Sequence, residues 1–184
     1  MFRKMSRRKL QADESGQALI EFSMVVVVLA VLTLGLIDVC RAIYTRQVIA
    51  NLAREGANLA SRGSGDTRAE IVSNAVAAVV ASASPLSITT NGLVIITAVN
   101  NTGNGGIINL QQKNGALTFN NSKVGTRVGR SATLPNTTPA LSQPNYTVFV
   151  AEIYYRFAPI TPIGKLLKVA MPTNLYDVAY FTTF

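Results

Sequence analysis

Few residues in this chain are equipped for chemistry. It contains no histidine and one cysteine, Cys40. A Ser-His-Asp or Cys-His nucleophile therefore lacks its base. Zinc sites of the usual Cys/His kind lack their ligands, and no intramolecular disulfide can close. The run Asn101 to Gly106, NTGNGG, has neither the lysine nor the strand-to-helix setting of a phosphate loop. Glu152 and Asp177 are the carboxylates a hydrolase would have to use, and nothing around them points to a substrate. No enzyme activity, metal or cofactor is expected. Two other acids have a sharper context. Glu21 is the one ionisable side chain between Gln17 and Ile37, where an unpaired carboxylate is costly. Asp38 closes the same run and stands three residues before Arg41, a spacing that puts both on one helix face.

The element that positions these acids is the run itself. Gln17 to Ile37 spans 21 residues. At about 1.5 Å per residue it makes a helix of roughly 31 Å, enough to cross a hydrocarbon core. Val25 to Val28 are β-branched, but in lipid the backbone must satisfy itself internally, and helix follows. Ahead of the run lie Arg3, Lys4, Arg7, Arg8 and Lys9 against Asp13 and Glu14. Such a cluster keeps the N-terminus cytoplasmic and sends the rest across. It also accounts for much of the net charge of +8, from 17 basic and 9 acidic residues. The remaining basic residues are scattered, without a dense run or stacking motif, so no nucleic-acid partner is expected. Secretory cleavage after the run would need small residues where Asp38 and Arg41 stand, and lipoprotein processing at Cys40 would need one where Val39 stands.

The stretch Gly16-Gln17-Ala18-Leu19-Ile20-Glu21-Phe22 resembles the processing motif of prepilins, a glycine followed at fixed spacing by a glutamate that opens an apolar helix. The Glu21-Phe22 pair, then Asp38, Arg41, Tyr44 and Ala53-Arg54-Glu55-Gly56-Ala57, resemble the TadE family of pseudopilins from Flp/Tad pilus systems. The resemblance covers roughly residues 16–62, with a weaker echo in NYTVFVAEIYYRFAPITPI near the end. It implies cleavage between Gly16 and Gln17 by a membrane prepilin peptidase, and a new amine at Gln17 that pairs with Glu21 of its own or a neighbouring subunit. It also implies other pilins or pseudopilins and the inner-membrane pilus assembly platform as partners. Physically, Gly16 has no Cβ to obstruct a peptidase. Hydration of Glu21 at headgroup level is the plainer reading of the same acid.

Beyond the membrane the helix is expected to continue to about Ser61. Ile37, Cys40, Tyr44, Val48, Leu52, Gly56 and Leu59 fall at three- and four-residue steps, and Gly63-Ser64-Gly65 ends the helix. Asp38, Arg41 and Tyr44 on this part are candidate helix-interface residues. Thr67-x-x-Glu70 reads as a capping box before an amphipathic helix carrying Ile71, Val72, Ala75, Val76, Val79 and Val80, finished by Pro85. A strand is predicted over Leu93–Val99 after a turn at Asn91-Gly92. Ile107–Gln112 and Ala116–Phe119 flank Lys113-Asn114-Gly115 as a predicted hairpin. Residues 120–145 read as a loop. Tyr146–Phe157 alternates, with Thr147, Phe149, Ala151, Ile153, Tyr155 and Phe157 as the expected core face, and Pro159 and Pro162 end it. Gly164–Val169 reads as a short amphipathic turn resting on the membrane or a partner, and Leu175–Phe181 as an edge strand.

The expected fold is α+β: a long N-terminal transmembrane and stalk helix, a second short helix and a small, mostly antiparallel sheet. The expected divisions are a basic leader at 1–16, a transmembrane helix at 17–37, a helical stalk at 38–62 and an extracytoplasmic domain at 66–184. The function read from this is a pseudopilin-like structural protein of the inner membrane, single-pass, with its C-terminal domain periplasmic or extracellular. It would assist assembly of a Flp/Tad-type pilus or related secretion apparatus, in a minor or initiating role rather than as the main shaft. The alternatives are an uncleaved single-span envelope protein whose outer domain binds a ligand or partner, and a carboxylate hydrolase.

Overall fold

A helix forms wherever the chain offers helical periodicity without a proline, and none occurs before Pro85. In the computed structural model α1 accordingly runs unbroken over Arg3–Arg62 and stops at Gly63. The structure describes residues 16–63, 65, 67–101, 106–118, 121–134, 146–165 and 172–183, with helical backbone at 3–15 and 166. From Gly16 to Leu34 every residue of α1 is exposed. A helix apolar on all sides is stable when lipid covers it.

The chain divides into two compact units. The first comprises Met1–Arg41 with Pro159–Met171, and the second Ala42–Ala158 with Pro172–Phe184. In the first, the described part of α1 is joined by the turn that opens α4, Pro162–Leu166.

The second unit holds the core. Its four-stranded sheet has the order β2-β1-β3-β4, antiparallel throughout, with β1 Gly92–Asn101, β2 Gly106–Gly115, β3 Thr147–Arg156 and β4 Asn174–Thr183. A bulge at Asn109 shifts the β1–β2 register between Ala98 and Val99. Helix α2, Arg68–Ser82, begins with the expected capping box: Glu70 N–H donates to Thr67 Oγ1 at 3.2 Å, and Thr67 N–H to Glu70 Oε2 at 3.3 Å. A short α3, Ile88–Asn91, leads directly into β1.

The α1 residues of this unit and α2 cover one face of the sheet. A Cβ placed on Gly56 would stand 2.8 Å from Val79 Cγ2, 3.4 Å from Ala151 Cβ and 3.5 Å from Ile96 Cδ1. The approach to Val79 of α2 is the one too close for a Cβ, and glycine permits it; the two sheet contacts are at ordinary van der Waals range. Residues 121–134, irregular and tied to β2 by backbone bonds such as Ile108 N–H to Arg130 O at 2.9 Å, lie against the other face.

Three sequence expectations change here. Thr147 to Tyr154 are all buried, so β3 is apolar-covered on both faces and its alternation marks two cores rather than a core and a surface. The hairpin expected around Lys113–Gly115 does not form. β2 continues through it, pairing Lys113 with Ile95 and Gly115 with Leu93. Gly115, at φ +142, then turns the chain across β1, where Ala116 N–H donates to Gly92 O at 3.0 Å. The buried stripe of α1 is Thr45, Ile49, Leu52, Ala53, Gly56, Ala57 and Ala60, whereas Ile37, Cys40, Tyr44 and Leu59 are exposed. The stripe combines the bulky Ile49 and Leu52 with small residues, so Leu52 and Gly56 of the expected stripe are buried while its other members fall outside it.

Candidate functional site

Asp38 is the point on which the first unit is built. It is an acid in the middle of α1, just past the apolar run, and its side chain is wholly buried. Its carboxylate accepts Ile160 N–H at 3.0 Å through Oδ1, and Thr161 N–H at 3.1 Å and the Thr161 hydroxyl at 2.5 Å through Oδ2. The Arg41 guanidinium stands 3.6 Å from Oδ1, as the i,i+3 spacing anticipated. Thr161 in turn accepts Gly164 N–H at 3.0 Å, capping the first turn of α4, with Pro162 in the position where a missing N–H costs nothing. A Cβ on Gly164 would overlap the Asp38 carboxylate. Burial pushes the Asp38 carboxyl up. The Thr161 hydroxyl, the Ile160 and Thr161 amides and Arg41 outweigh it, and its pKa lies below the ordinary value of 3.8.

Reasoning from sequence paired Asp38 with Arg41 but did not find Thr161. The signal is present in Thr161-Pro162, a helix-start dipeptide, which strand periodicity alone reads as the end of β3. Tyr44, the third residue singled out on this stretch, is 53% exposed.

At the other end of the apolar run, Gly16 is exposed and a Cβ there would meet nothing within 4 Å. The Gly16-Gln17 peptide lies within the helix. The Gln17 side-chain amide donates to Glu21 Oε1 at 3.0 Å, so the structure joins two of the residues singled out at this end. Phe22 is 67% exposed beside them.

Glu152 is the second buried acid, in mid-β3. The Ser122 hydroxyl donates to it, as do Lys123 N–H at 2.8 Å, Tyr176 OH at 3.1 Å and Tyr154 OH at 3.3 Å. The Tyr154 and Tyr176 rings lie 4.7 Å apart, and the Lys123 ammonium sits 3.7 Å over Tyr176. Burial first, then the Glu152 charge, raises both phenols well above their ordinary range, so they remain donors. Asp177 is paired in register with Ile153, on the opposite sheet face from Glu152. It accepts the N–H of Val178 at 2.8 Å. The carboxylate pair a hydrolase would need does not converge.

An all-exposed apolar helix with a polar exit, joined in sequence to a small α+β unit, fits the class of single-pass membrane proteins. Residues 16–58 match the model of the TadE-like protein family. The sheet lies outside the matched residues. No curated protein and no solved structure matches the chain.

Proposed function

We propose that the protein is a pseudopilin-like structural component that assists assembly of a Flp/Tad-type pilus or the related secretion apparatus. The TadE-like match over residues 16–58 carries the reading. In it, residues 1–16 are a basic leader and 17–37 span the inner membrane. Residues 38–62 continue outward, and 66–184 stand on the periplasmic or extracellular side. A prepilin peptidase cuts after Gly16, and the partners are other pilins or pseudopilins, the assembly platform and the bilayer. The Gln17–Glu21 contact supports a role for Glu21 after cleavage. The new amine arises on Gln17 itself, one helical turn from the acid, and cancels a charge that lipid otherwise penalises.

The test is the intact mass and N-terminal sequence of the membrane-extracted protein beside Gly16→Leu. A mature chain beginning at Gln17, with the variant left at full length, establishes the processing. A native chain that keeps residues 1–16 in cells with an active prepilin peptidase refutes it. The second reading, an uncleaved single-span protein with a binding domain outside, then takes its place.

A further inference from the structure

Asp38 does more than end the apolar run: it fixes the depth at which a distant part of the chain must sit. Side chains on a helix lean toward its N-terminus, which here is the membrane side. A carboxylate one residue past Ile37 therefore reaches back to the level of the last turn of the span. The backbone it holds, Ile160 and Thr161, is within 3.1 Å of it. The turn thus lies beside the helix at the height of the lipid headgroups.

Its composition suits that height. Ile160 is 60% exposed, and Pro162 beside it is exposed as well. On α1 the exposed Leu36, Ile37 and Val39 continue the apolar surface at the same level. Lys165, also exposed, supplies a cation one helical turn from Thr161. Apolar side chains below and a cation above are the arrangement of an interfacial lipid contact. The Asp38 carboxylate meanwhile satisfies the amides that would be expensive to leave unpaired at that depth.

We propose that the Ile160–Lys165 turn is a second membrane contact, held by Asp38, with Ile160 among the upper acyl carbons and Lys165 among phospholipid phosphates. The inference rests on the reading of residues 17–37 as a span, and the experiment separates the two. Full-length protein in the Cys40→Ser background carries one fluorescent label, at Ile160→Cys, Val27→Cys or Val128→Cys, and is reconstituted into phosphatidylcholine/phosphatidylglycerol vesicles. Lipids brominated near the headgroup or near the chain ends quench the label by depth.

A label at Val27→Cys quenched by the deep lipids upholds the span; one left unquenched defeats the span and the proposal with it. With the span upheld, headgroup-proximal quenching at Ile160→Cys at least about threefold stronger than at Val128→Cys is expected, as for a side chain buried at the acyl boundary. Adding Asp38→Asn should bring it down to the Val128→Cys level while Val27→Cys is unchanged. A label at Ile160→Cys that stays as water-exposed as Val128→Cys overturns the proposal. So does quenching that survives Asp38→Asn, because the depth is then set by something other than the carboxylate. Protection found only in native envelopes, with a crosslink from Ile160→Cys to another protein, also overturns it and gives the turn to a protein partner.

Discussion

A carboxylate taken out of water is tolerated only when donors replace its hydration, and the two buried acids here are satisfied in different ways. Asp38 is satisfied by backbone amides and a hydroxyl from residues 160–161, more than a hundred positions away in sequence. Its lowered pKa sets the sign of the pH dependence. The anion contributes its stabilisation above the ordinary carboxyl value of 3.8, and loses it as pH falls through the lower folded value. Hydrogen-exchange protection of the Ile160 and Thr161 amides should therefore be constant from neutral pH down to roughly pH 4 and decline below it. Asp38→Asn should lose that protection at neutral pH; unchanged protection in the variant would contradict the assignment. Glu152 is satisfied by the Ser122 hydroxyl, Lys123 N–H and Tyr176 OH, with the single proton of Tyr154 OH divided between Glu152 and the nearer Asn121 O. Glu152→Gln replaces an acceptor with a donor amid that set and should cost about 1–3 kcal/mol in chemical denaturation. Asp177→Asn, on the opposite sheet face, should stay within about 0.5 kcal/mol.

At the scale of the elements, Gly56 sets how closely α1 packs against α2 above the sheet. Gly56→Leu forces side-chain atoms into space held by Val79, Ala151 and Ile96, and should destabilise by about 1–3 kcal/mol, read as a lower denaturation midpoint in detergent. Much of this layer was legible from the residues. The C-terminal end of α1, the Thr67 capping box, β1 and the edge strand β4 all follow from local periodicity and end signals, whereas the helical backbone also runs through 3–15, ahead of the expected start at Gln17. The misreadings share one physical cause. Alternation in β3 shows that its faces differ, not what covers them, and the cover over Val148, Val150 and Glu152 is an irregular segment with no periodic signature. Lys113-Asn114-Gly115 has turn composition, yet pairing with β1 outweighs it, and Gly115 is used to leave the sheet rather than to reverse it. On α1, Leu52 and Gly56 of the expected stripe are buried, but the stripe is shifted to include Ile49, Ala53, Ala57 and Ala60, whose small side chains give no strong periodic signal. Asp38 was legible as half of an ion pair; its larger set of partners, at 160–161, is a tertiary contact that no local spacing encodes.

At the scale of the molecule, the division of labour between the units makes its own prediction. Every buried hydrophobic residue of the core, from Ile49 to Ala179, belongs to the second unit, and among the described residues the first contributes none. The apolar surface of residues 16–37 is wholly or largely exposed and, among the described residues of its own unit, has no counterpart that buries it. Hydrophobic burial is the dominant favourable term in folding, so the sheet with its two covers does not depend on the span for stability. A chain beginning at Ala42 should therefore be soluble without detergent and unfold in one cooperative transition. Its midpoint should lie within about 5 °C of that of the full chain in detergent, the shift expected for a loss near 1 kcal/mol. Turn 160–164, deprived of Asp38, should lose its amide protection in the same sample while β3 keeps its own. Circular dichroism and hydrogen exchange on one preparation read both outcomes. Aggregation, or loss of protection in β3, would mean that residues 1–41 contribute to the stability of the second unit.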